Sequence, residues 1–501
     1  MSQPATSLRK PPRLSKSRFI SGRQCELKLW YDCYQRDLAA QPDEALQAIF
    51  AAGHEVGELA QQRWPGGVPV EGEHWDVDRA LEQTDALLRD SSVPAIYEAA
   101  ILHRGVLTRV DVLVRNEDGS WDLVEVKSSA RVKEPYDTDV AVQYWILHGA
   151  GLKVRRAGVL TLNRDYVYPG GELDLQQLFR FHDLTEGCRA RLGEMEQGVV
   201  RFQAMLAEPE PPAISIGEHC HTPYECPYWD HCTRDMIFPE QPIELLPGLT
   251  GARRDGLVAA GASELADIPD GYSLTVMQKR VLQSTLDNQP WVSRGLRAAL
   301  EEVQWPLHFL DFEAAPLAIP QQPGMRPFDP LPFQFSCHHQ DAEGGSLRHS
   351  EFLATDQDDP REPLARALLA ALGERGSIIV YSSYEARTIG LLAEALPHYA
   401  VPLHALRERL VDLLAIIRKH FYHPDFRGSF SIKAVLPALV ESFSYADLMV
   451  ADGRAAANVW RQLVISDDPA LRARLDRALR EYCEMDSLAM VRVREALLAF
   501  C

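Results

Sequence analysis

No apolar run in this 501-residue chain approaches the roughly 20 residues a membrane-spanning helix needs. The chain begins without the apolar core of an export signal, so the expectation is a cytoplasmic protein without membrane partners. Cysteine is scarce, nine residues in all. Without export, a disulfide framework is not expected from so few. Positive charge is also in deficit. Lys and Arg number 52 against 71 Asp and Glu, a net charge of −19. That argues against broad adhesion to nucleic acid, but it leaves room for local basic patches and for acids that hold a metal. Basic residues do gather at the start: Arg9, Lys10, Arg13, Lys16, Arg18 and Arg23 fall within the first 24 residues, which contain no acid. That stretch is either an arm contacting nucleic acid or a disordered tail, placed over 1–14. With 46% apolar and 25% charged residues, the rest has a globular profile with room for two to four domains.

The most informative stretch runs from Thr108 to Ser129. Val110, Val112 and Val114 alternate along one strand, Asn116 to Ser120 form a turn, and Trp121 to Val126 return as a second strand. Asp111 and Glu125 are acids inside apolar strand ends, and Lys127 shares a face with Glu125. Burying two carboxylates and an ammonium together is costly unless they pair or hold a metal. Phosphodiester hydrolysis uses such a set: acids that hold Mg²⁺ or Mn²⁺, and a lysine that orients water. A surface hairpin with an ordinary Asp–Lys pair is the plainer alternative.

Asp111 followed by Glu125-Val126-Lys127 resembles the D…ExK core of PD-(D/E)XK nucleases, and Gln143 is similar to the helical glutamine of the RecB-like subgroup. The resemblance implies that Asp111, Glu125, Lys127 and Gln143 are catalytic, with metal on the two acids. Two positions depart from the subgroup's pattern. Leu147 stands where a tyrosine is common, and Gly57 where an upstream histidine is expected, with His54 and Glu58 as possible substitutes. Around this core the sequence predicts helices from Ser15 through Trp30 and from 42 to 64, and helical patterns at 73–95 and 173–206. Strands are predicted at Tyr97–Ile101 and Val154–Leu162. Glu98 is a further candidate carboxylate, or a surface acid.

Beyond a Pro-rich break at 208–212 lie Cys220, Cys226 and Cys232. Three cysteines this close, interleaved with Pro and aromatics, read as soft-metal ligands, but three do not complete a tetrahedral site. Cys25 is the natural fourth and Cys33 its rival. His219, His221 and His231 keep zinc open as the metal. Cys188, Cys337, Cys483 and Cys501 look incidental. RecB-like nucleases of the AddB and CRISPR-associated type have one cysteine before the core and three after it. That resemblance implies a 4Fe–4S cluster on Cys25, Cys220, Cys226 and Cys232, closing a nuclease domain over 15–238.

Residues 239–300 read as a helical linker. A turn at Leu246–Leu249, a helix around Ala252–Ala260 ending at Gly261, and a second helix from Ala262 resemble a helix-hairpin-helix element; a plain helical hairpin is the alternative. The last part, 301–501, opens on a strand ending in Asp311-Phe312-Glu313. Further strands follow at Phe333–His338 and Ile378–Tyr381, then Glu385 at the head of a helix. Tyr482 and Asp486 lie on one face of a long C-terminal helix from about Pro469 to Phe500. The order resembles the RNase H-like DEDD exonucleases of the tyrosine branch. It implies metals on Asp311, Glu313, Glu385 and Asp486, with Tyr482 orienting the attacking water. Glu385 departs from the family's usual Asp. Asp412 is a further carboxylate or only a helix cap, and Lys433 a phosphate contact or a surface lysine.

The whole chain resembles the bacterial domain-of-unknown-function 2779 family through Leu14–Phe19, Pro223–Pro227, Pro332–Ser336 and Ser431–Pro437. The combined expectation is an α/β protein with two metal-dependent nuclease sites. It would act on DNA, with single strands or ends preferred, in repair or in defence against foreign DNA. An RNA exonuclease and a binding scaffold with one degenerate site are the alternatives.

Overall fold

The computed structural model describes residues 12–501 apart from 73–75, 441, 442, 444, 446 and 447, and of 45 the backbone only. Most of the expected tail, with Arg9 and Lys10, lies outside the described residues. The chain is mixed α/β and splits into two compact units: 1–236 with 317–329, and 237–316 with 330–501. Among the described residues, no helix is long and apolar enough to cross a membrane.

The first unit carries a seven-stranded sheet. Its strands are β1 (Leu14–Ser15), β2 (Val68–Pro69), β3 (Ala95–His103), β4 (Val106–Arg115), β5 (Trp121–Lys127), β6 (Val154–Leu162) and β7 (Phe179–Asp183), with helices α1 (Lys16–Gln24), α2 (Glu26–Tyr34), α3 (Glu44–Gln61), α4 (Val77–Arg89), α5 (Glu134–Gly149) and α6 (Leu192–Ala207). The order is β2-β3-β4-β5-β6-β7, with β1 alongside β4. β3, β4 and β5 form an antiparallel meander, and α5 carries the chain over to β6, parallel to β5. The turn at Asn116–Ser120 closes on Asn116 N to Ser120 O at 2.8 Å, with Gly119 at φ 74°. Phe19, Leu29, Val140, Ile146 and Phe202 pack against the sheet's Ile96, Val110 and Leu123, all of them essentially fully buried.

Three expectations are corrected here. Leu14 is not tail: it is buried and paired with Val106. The first helix does not run through Cys25. It is capped at its start by Ser15 Oγ on Arg18 N and stops at Cys25, which is extended (φ −159°, ψ 126°), before α2 begins at Glu26. Nor is 173–206 continuously helical, because Phe179-Arg180-Phe181-His182-Asp183 pairs with β6 as an edge strand. Its period-2 aromatics, Phe179 and Phe181, set it in the sheet.

Gly158 in β6 makes that pairing possible. A Cβ there would lie 2.1 Å from His182 O and 2.7 Å from the Phe181 ring. Gly158→Ala is therefore expected to push β7 off the sheet and lower unit stability by about 1–3 kcal/mol, read as a drop in denaturant midpoint at unchanged slope. An unchanged midpoint would show that β7 moves freely.

The second unit has a five-stranded sheet, β11-β10-β9-β12-β13, and a two-stranded ribbon, β14-β8. The strands are β8 (Trp291–Val292), β9 (Leu307–Pro316), β10 (Pro330–Gln340), β11 (Leu347–Leu353), β12 (Ser377–Val380), β13 (Leu410–Asp412) and β14 (Phe421–Tyr422). β9, β10 and β11 are antiparallel, and β12 and β13 add parallel to β9. The helices used below are α7 (Ala252–Ala259), α8 (Val276–Asp287), α9 (Arg361–Leu372), α10 (Tyr384–Ala395), α11 (Ile432–Leu439), α12 (Gly453–Ile465) and α13 (Pro469–Ala499). One face of the sheet packs Leu310, Phe312 and Cys337 against α9 and α10. In a second core, Leu307, Phe309 and Ile379 meet Met490, Val493 and Leu497 of α13.

Residues 239–300 are not a detached linker. Ile243, Leu257, Leu265, Val281 and Leu296 are part of that same second core. The expected second helix of the helix-hairpin-helix is also missing. After Gly261 (φ 86°) only a single 3₁₀ turn forms at Leu265–Asp267, closed by Glu264 and Asp267 as a capping box. The next helix, α8, starts at a Thr275/Gln278 capping box.

Candidate active sites

In the first unit the β4–β5 ladder has Val112 opposite Val124, so Asp111 and Glu125 are the next residues outward. Asp111 accepts from Val126 N at 2.7 Å. Lys127 Nζ donates to Glu125 Oε1 at 2.6 Å and to Asp139 Oδ2 at 2.7 Å. Gln143, fully buried on α5, donates to Glu125 Oε2 at 2.7 Å and accepts from Thr108 Oγ1 at 3.2 Å. The structure therefore brings together all four residues the sequence singled out. Leu147, at the position where a tyrosine would stand, is fully buried in the apolar core instead.

Two partners were not foreseen. Asp139 lies one helical turn before Gln143 on α5, and its carboxylate faces the same cluster. The i, i+4 spacing, which puts Asp139 and Gln143 on one face of α5, was the available signal. Lys16, counted with the basic residues of the first 24 and expected to open a helix, reaches in from α1. Its ammonium sits 2.8 Å from Glu125 Oε1 and 3.4 Å from Asp139 Oδ1. Three acids thus face two ammoniums. Burial, with Glu125 beside it, pushes the Asp111 carboxyl up to about 8 against the pull of the lysines. Burial would raise Glu125 too, but Lys16 and Lys127 outweigh it and hold that carboxyl well below its usual range. Both lysines are in turn held charged: burial opposes their charge, and the surrounding carboxylates more than offset it.

Cys25, Cys220, Cys226 and Cys232 line one pocket, together with Lys28, Tyr31 and His219. Cys33 is not among its walls. The extended backbone at Cys25 breaks the chain between α1 and α2 at this point. Gln24 fastens the opposite wall by donating to His219 O at 2.8 Å and Tyr224 O at 2.6 Å. Of the three histidines considered, His219 alone lines the pocket, with Nε2 3.7 Å from Cys220 Sγ. His221 pairs with Glu225 and packs on Trp229, and His231 lies edge-on to Tyr31.

In the second unit, carboxylate oxygens of Asp311, Glu313 and Asp486 lie within 4.8 Å of one another. Asp311 and Glu313 come from alternate positions of β9 and Asp486 from the middle of α13. Glu385, at the first turn of α10, is buried, and its Oε2 has no hydrogen-bond partner among the described residues. The residue just before the cap of that helix, Ser382, has φ 150°, a backbone that non-glycine residues rarely adopt. Burial, then the neighbouring acids, pushes Glu313 up to about 8. Burial does the same to Glu385, also to about 8, and Asp311 and Asp486 are raised as well. Lys433 is the cation that opposes this, drawing Glu313 and Asp486 down. Its ammonium donates to Tyr482 Oη at 3.3 Å and lies 5.1 Å from that ring's centre. Lys433 is therefore a site residue rather than a surface lysine. Burial, then Asp486, Glu313 and Asp311, keep the Tyr482 hydroxyl protonated far above its usual range.

Asp412, by contrast, caps the following helix through Ala415 N at 3.1 Å. Glu98 lies in β3 at φ 54°, between the pairs Tyr97–Val112 and Ala99–Val110. The sequence did not point to Tyr445, which donates to Asp486 Oδ1 at 2.7 Å, to Cys483 with Sγ 3.5 Å from Asp311 Oδ2, or to Gly453. A Cβ at Gly453 would lie 3.2 Å from Glu313 Oε2.

Residues 308–431 match the model of a family described as "Domain of unknown function (DUF2779)". The matched segment contains Asp311, Glu313 and Glu385 and ends before Tyr482 and Asp486. The family resemblance read from the hallmark segments is borne out over this stretch. No curated protein matches the chain. Among solved structures, one described as "Crystal structure of SSO0001" aligns over 38% of this chain and 75% of that one, at 13% identity and a TM-score of 0.19, too slight a likeness to assign fold or activity.

Proposed function

We propose that this chain, whose second unit carries the DUF2779 match, is a cytoplasmic, metal-dependent nuclease acting on DNA, single strands or ends preferred, in repair or in defence against foreign DNA. The observation that carries the reading is the second unit's acid cluster. Carboxyls of Asp311, Glu313 and Asp486 gather within 4.8 Å beside one nearby ammonium, the buried Glu385 is near enough to raise Asp311 and Glu313, and Glu385 Oε2 has no partner among the described residues. Such crowding is costly unless cations enter. Asp311, Glu313, Glu385 and Asp486 are the residues that would hold Mg²⁺ or Mn²⁺. When bound, these ions polarise a phosphodiester and lower the pKa of a bound water.

The chain's own groups supply the rest. Tyr482, kept protonated, offers a hydroxyl to orient the attacking water. Lys433 donates to that hydroxyl and supplies positive charge beside Glu313 and Asp486 that can offset charge developing on a phosphate. Glu385 is one methylene longer than Asp, and the strained Ser382 sets the start of its helix. Tyr445 fixes Asp486 in place.

The first unit supports a second nuclease site on Asp111, Glu125, Lys127 and Gln143. The double neutralisation of Glu125 by Lys16 and Lys127 favours another reading of that unit, a binding module without turnover. The four thiols lining one pocket, with one histidine among its walls, fit a sulfur-ligated 4Fe–4S cluster better than a mixed Cys/His zinc site. When bound, such a cluster would fasten the Cys25 break to the 220–232 segment. Cys25→Ser is expected to abolish the visible sulfide-to-iron absorption of anaerobically purified protein and lower the first unit's stability. An unchanged spectrum would remove Cys25 from the ligand set.

The test of function is cleavage of 5′-labelled single-stranded DNA with Mn²⁺ by wild type, Lys127→Ala, Asp311→Ala and the double variant. Two separable product patterns, each lost with one variant, are expected for two active sites. Loss with Asp311→Ala alone would leave the first unit a binding module. Cleavage of RNA but not DNA would reassign the substrate, and cleavage of neither would overturn the nuclease reading.

A further inference from the structure

On the face of the second unit's sheet opposite the acids lies a group with no part in that chemistry. His308 on β9 stands directly across from His339 on β10, and Cys337 is two residues before His339 on the same face. All three are buried, with exposures of 5%, 4% and 0%. One ligand atom from each lies within 4.8 Å of the other two. The two Nδ1 atoms face each other at 2.8 Å, and Cys337 Sγ is 3.9 Å from His339 Nδ1.

The outer nitrogens decide what the inner ones can do. His308 Nε2 lies 3.0 Å from Arg375 O. A carbonyl only accepts, so this nitrogen carries the proton and a neutral His308 turns a bare Nδ1 inward. His339 Nε2 lies 2.6 Å from Ser350 Oγ, a group that can accept its proton in the same way. Histidines that bind metals are oriented through their far nitrogen by an outer oxygen, and both rings here have one. Burial keeps both imidazoles neutral, the form that ligates. Two nitrogens and one sulfur at this spacing suit a borderline ion. Bonds of about 2.0–2.3 Å around zinc place tetrahedral ligands about 3.3–3.6 Å apart, so the 2.8 Å nitrogen pair would open and the 3.9 Å sulfur–nitrogen pair close, by about a third to half an ångström.

We propose that His308, Cys337 and His339 supply three ligands of a buried site for Zn²⁺, its fourth position left to a water, independent of the acid cluster and of the four-cysteine pocket. On binding, the Cys337 thiol proton is released to solvent, a sulfur–zinc bond forms, and both imidazoles enter neutral. The ion would pin β9 to β10 three residues upstream of Asp311. The competing state is metal-free, with His339 Nδ1–H donating to His308 Nδ1.

The experiment uses full-length protein carrying Cys220→Ala and Cys226→Ala, which removes two of the other pocket's ligands and leaves this site intact. After anaerobic treatment with a chelator, Co²⁺ is titrated in, followed by Zn²⁺. A thiolate-to-cobalt absorption band at one ion per chain, displaced by one equivalent of Zn²⁺ and lost on adding Cys337→Ala, is expected. Thermal unfolding of the same background should shift upward with Zn²⁺. Absence of the band, or a band that survives Cys337→Ala, would overturn the proposal in favour of the proton-shared pair. Should Cys337→Ala fail to fold, the conservative His339→Gln serves as the control, with an expected loss of zinc stoichiometry. Since no DNA cleavage is read, the result is separate from the nuclease reading.

Discussion

Asp311→Asn is expected to abolish metal-dependent hydrolysis by the second unit and, at the same time, to make the metal-free protein more stable. The loss of rate should be at least about 10³-fold, because a carboxylate in the ion-holding set supplies several kcal/mol of transition-state stabilisation. The gain in stability follows from the crowding. Glu313 and Glu385 are each pushed up to about 8, by burial first, and the Asp311 carboxyl is itself raised well above its usual range, by burial and then by Asp486, Glu313 and Glu385.

A carboxyl with a raised folded pKa keeps its proton where the unfolded chain has lost it. Its contribution to stability is therefore complete below the unfolded value of about 4.5 and declines as pH rises toward about 8. Metal-free wild type should lose thermal stability between about pH 5 and pH 8. Asp311→Asn removes one of the repelling charges, so it should melt above wild type near pH 8 by about 1–3 kcal/mol, with the gap closing near pH 5. Mn²⁺ should reverse the order, since it stabilises the site that still has all its ligands. The measurement is thermal unfolding in chelator and in Mn²⁺ at both pH values. A wild type whose metal-free stability is indifferent to pH across this window would sink the prediction, because the four acids would then be neutralised by something other than an added ion.

How far the site was legible depends on the kind of signal each residue leaves. Asp111, Glu125 and Lys127 stand out because strands alternate, so a charged residue at an apolar strand end is conspicuous. Asp311 and Glu313 stand out for the same reason. Glu385 and Asp486 were found through their order behind the Asp-x-Glu strand; Asp486 does lie within 4.8 Å of the strand's two acids, and Glu385 is near enough to raise both. Lys16 was counted with its basic neighbours and expected only to open a helix. Charge runs usually stay in solvent, and nothing local distinguishes the one lysine that turns inward from those around it. Asp139 sits in a helix where a single acid is unremarkable until Gln143 is known to face the same way. Phe179–Asp183 was absorbed into a helical pattern, since a five-residue strand is too short for its period to outweigh the helices on both sides. Cys25 was read inside a helix because no glycine or proline marks the break there. The break is visible only once the chain meets the 220–232 segment. Cys337 looked incidental because His308, which joins it and His339, lies 29 residues before the one and 31 before the other and is brought there by strand pairing, which spacing alone does not reveal.

Lys16→Met is expected to cost the first unit about 3–5 kcal/mol in chelator, and Mn²⁺ is expected to restore much of that loss. Methionine keeps the length and the apolar stem, so the packing of α1 is retained and only the charge is removed. What remains is Glu125 with one ammonium instead of two, and Asp139 with its Oδ1 facing the vacated position. An uncompensated buried carboxylate accounts for the cost. The same vacated position is bounded by acidic oxygens, so a divalent cation gains there what it could not gain beside two lysines. Affinity of the first unit for Mn²⁺ should rise about tenfold, about 1.4 kcal/mol.

The acid response gives an independent sign. Glu125 is held low in the wild type, so its contribution is present above the unfolded value and lost only in acid. Without Lys16 its carboxyl should rise, and that loss should begin at higher pH. The reporter is hydrogen exchange at the Val126 amide, which donates to Asp111 inside the cluster. Faster exchange in chelator, slowed again by Mn²⁺, is the expected pattern. Exchange that Mn²⁺ leaves untouched would mean that Lys16 is a strut alone, and that the first unit's acids are arranged for their lysines rather than for an ion. If the recovery is seen, Lys16 acts as a resident cation that an incoming metal must displace, and the two units differ in how readily they load. The second, with one lysine beside four acids, takes its ions first.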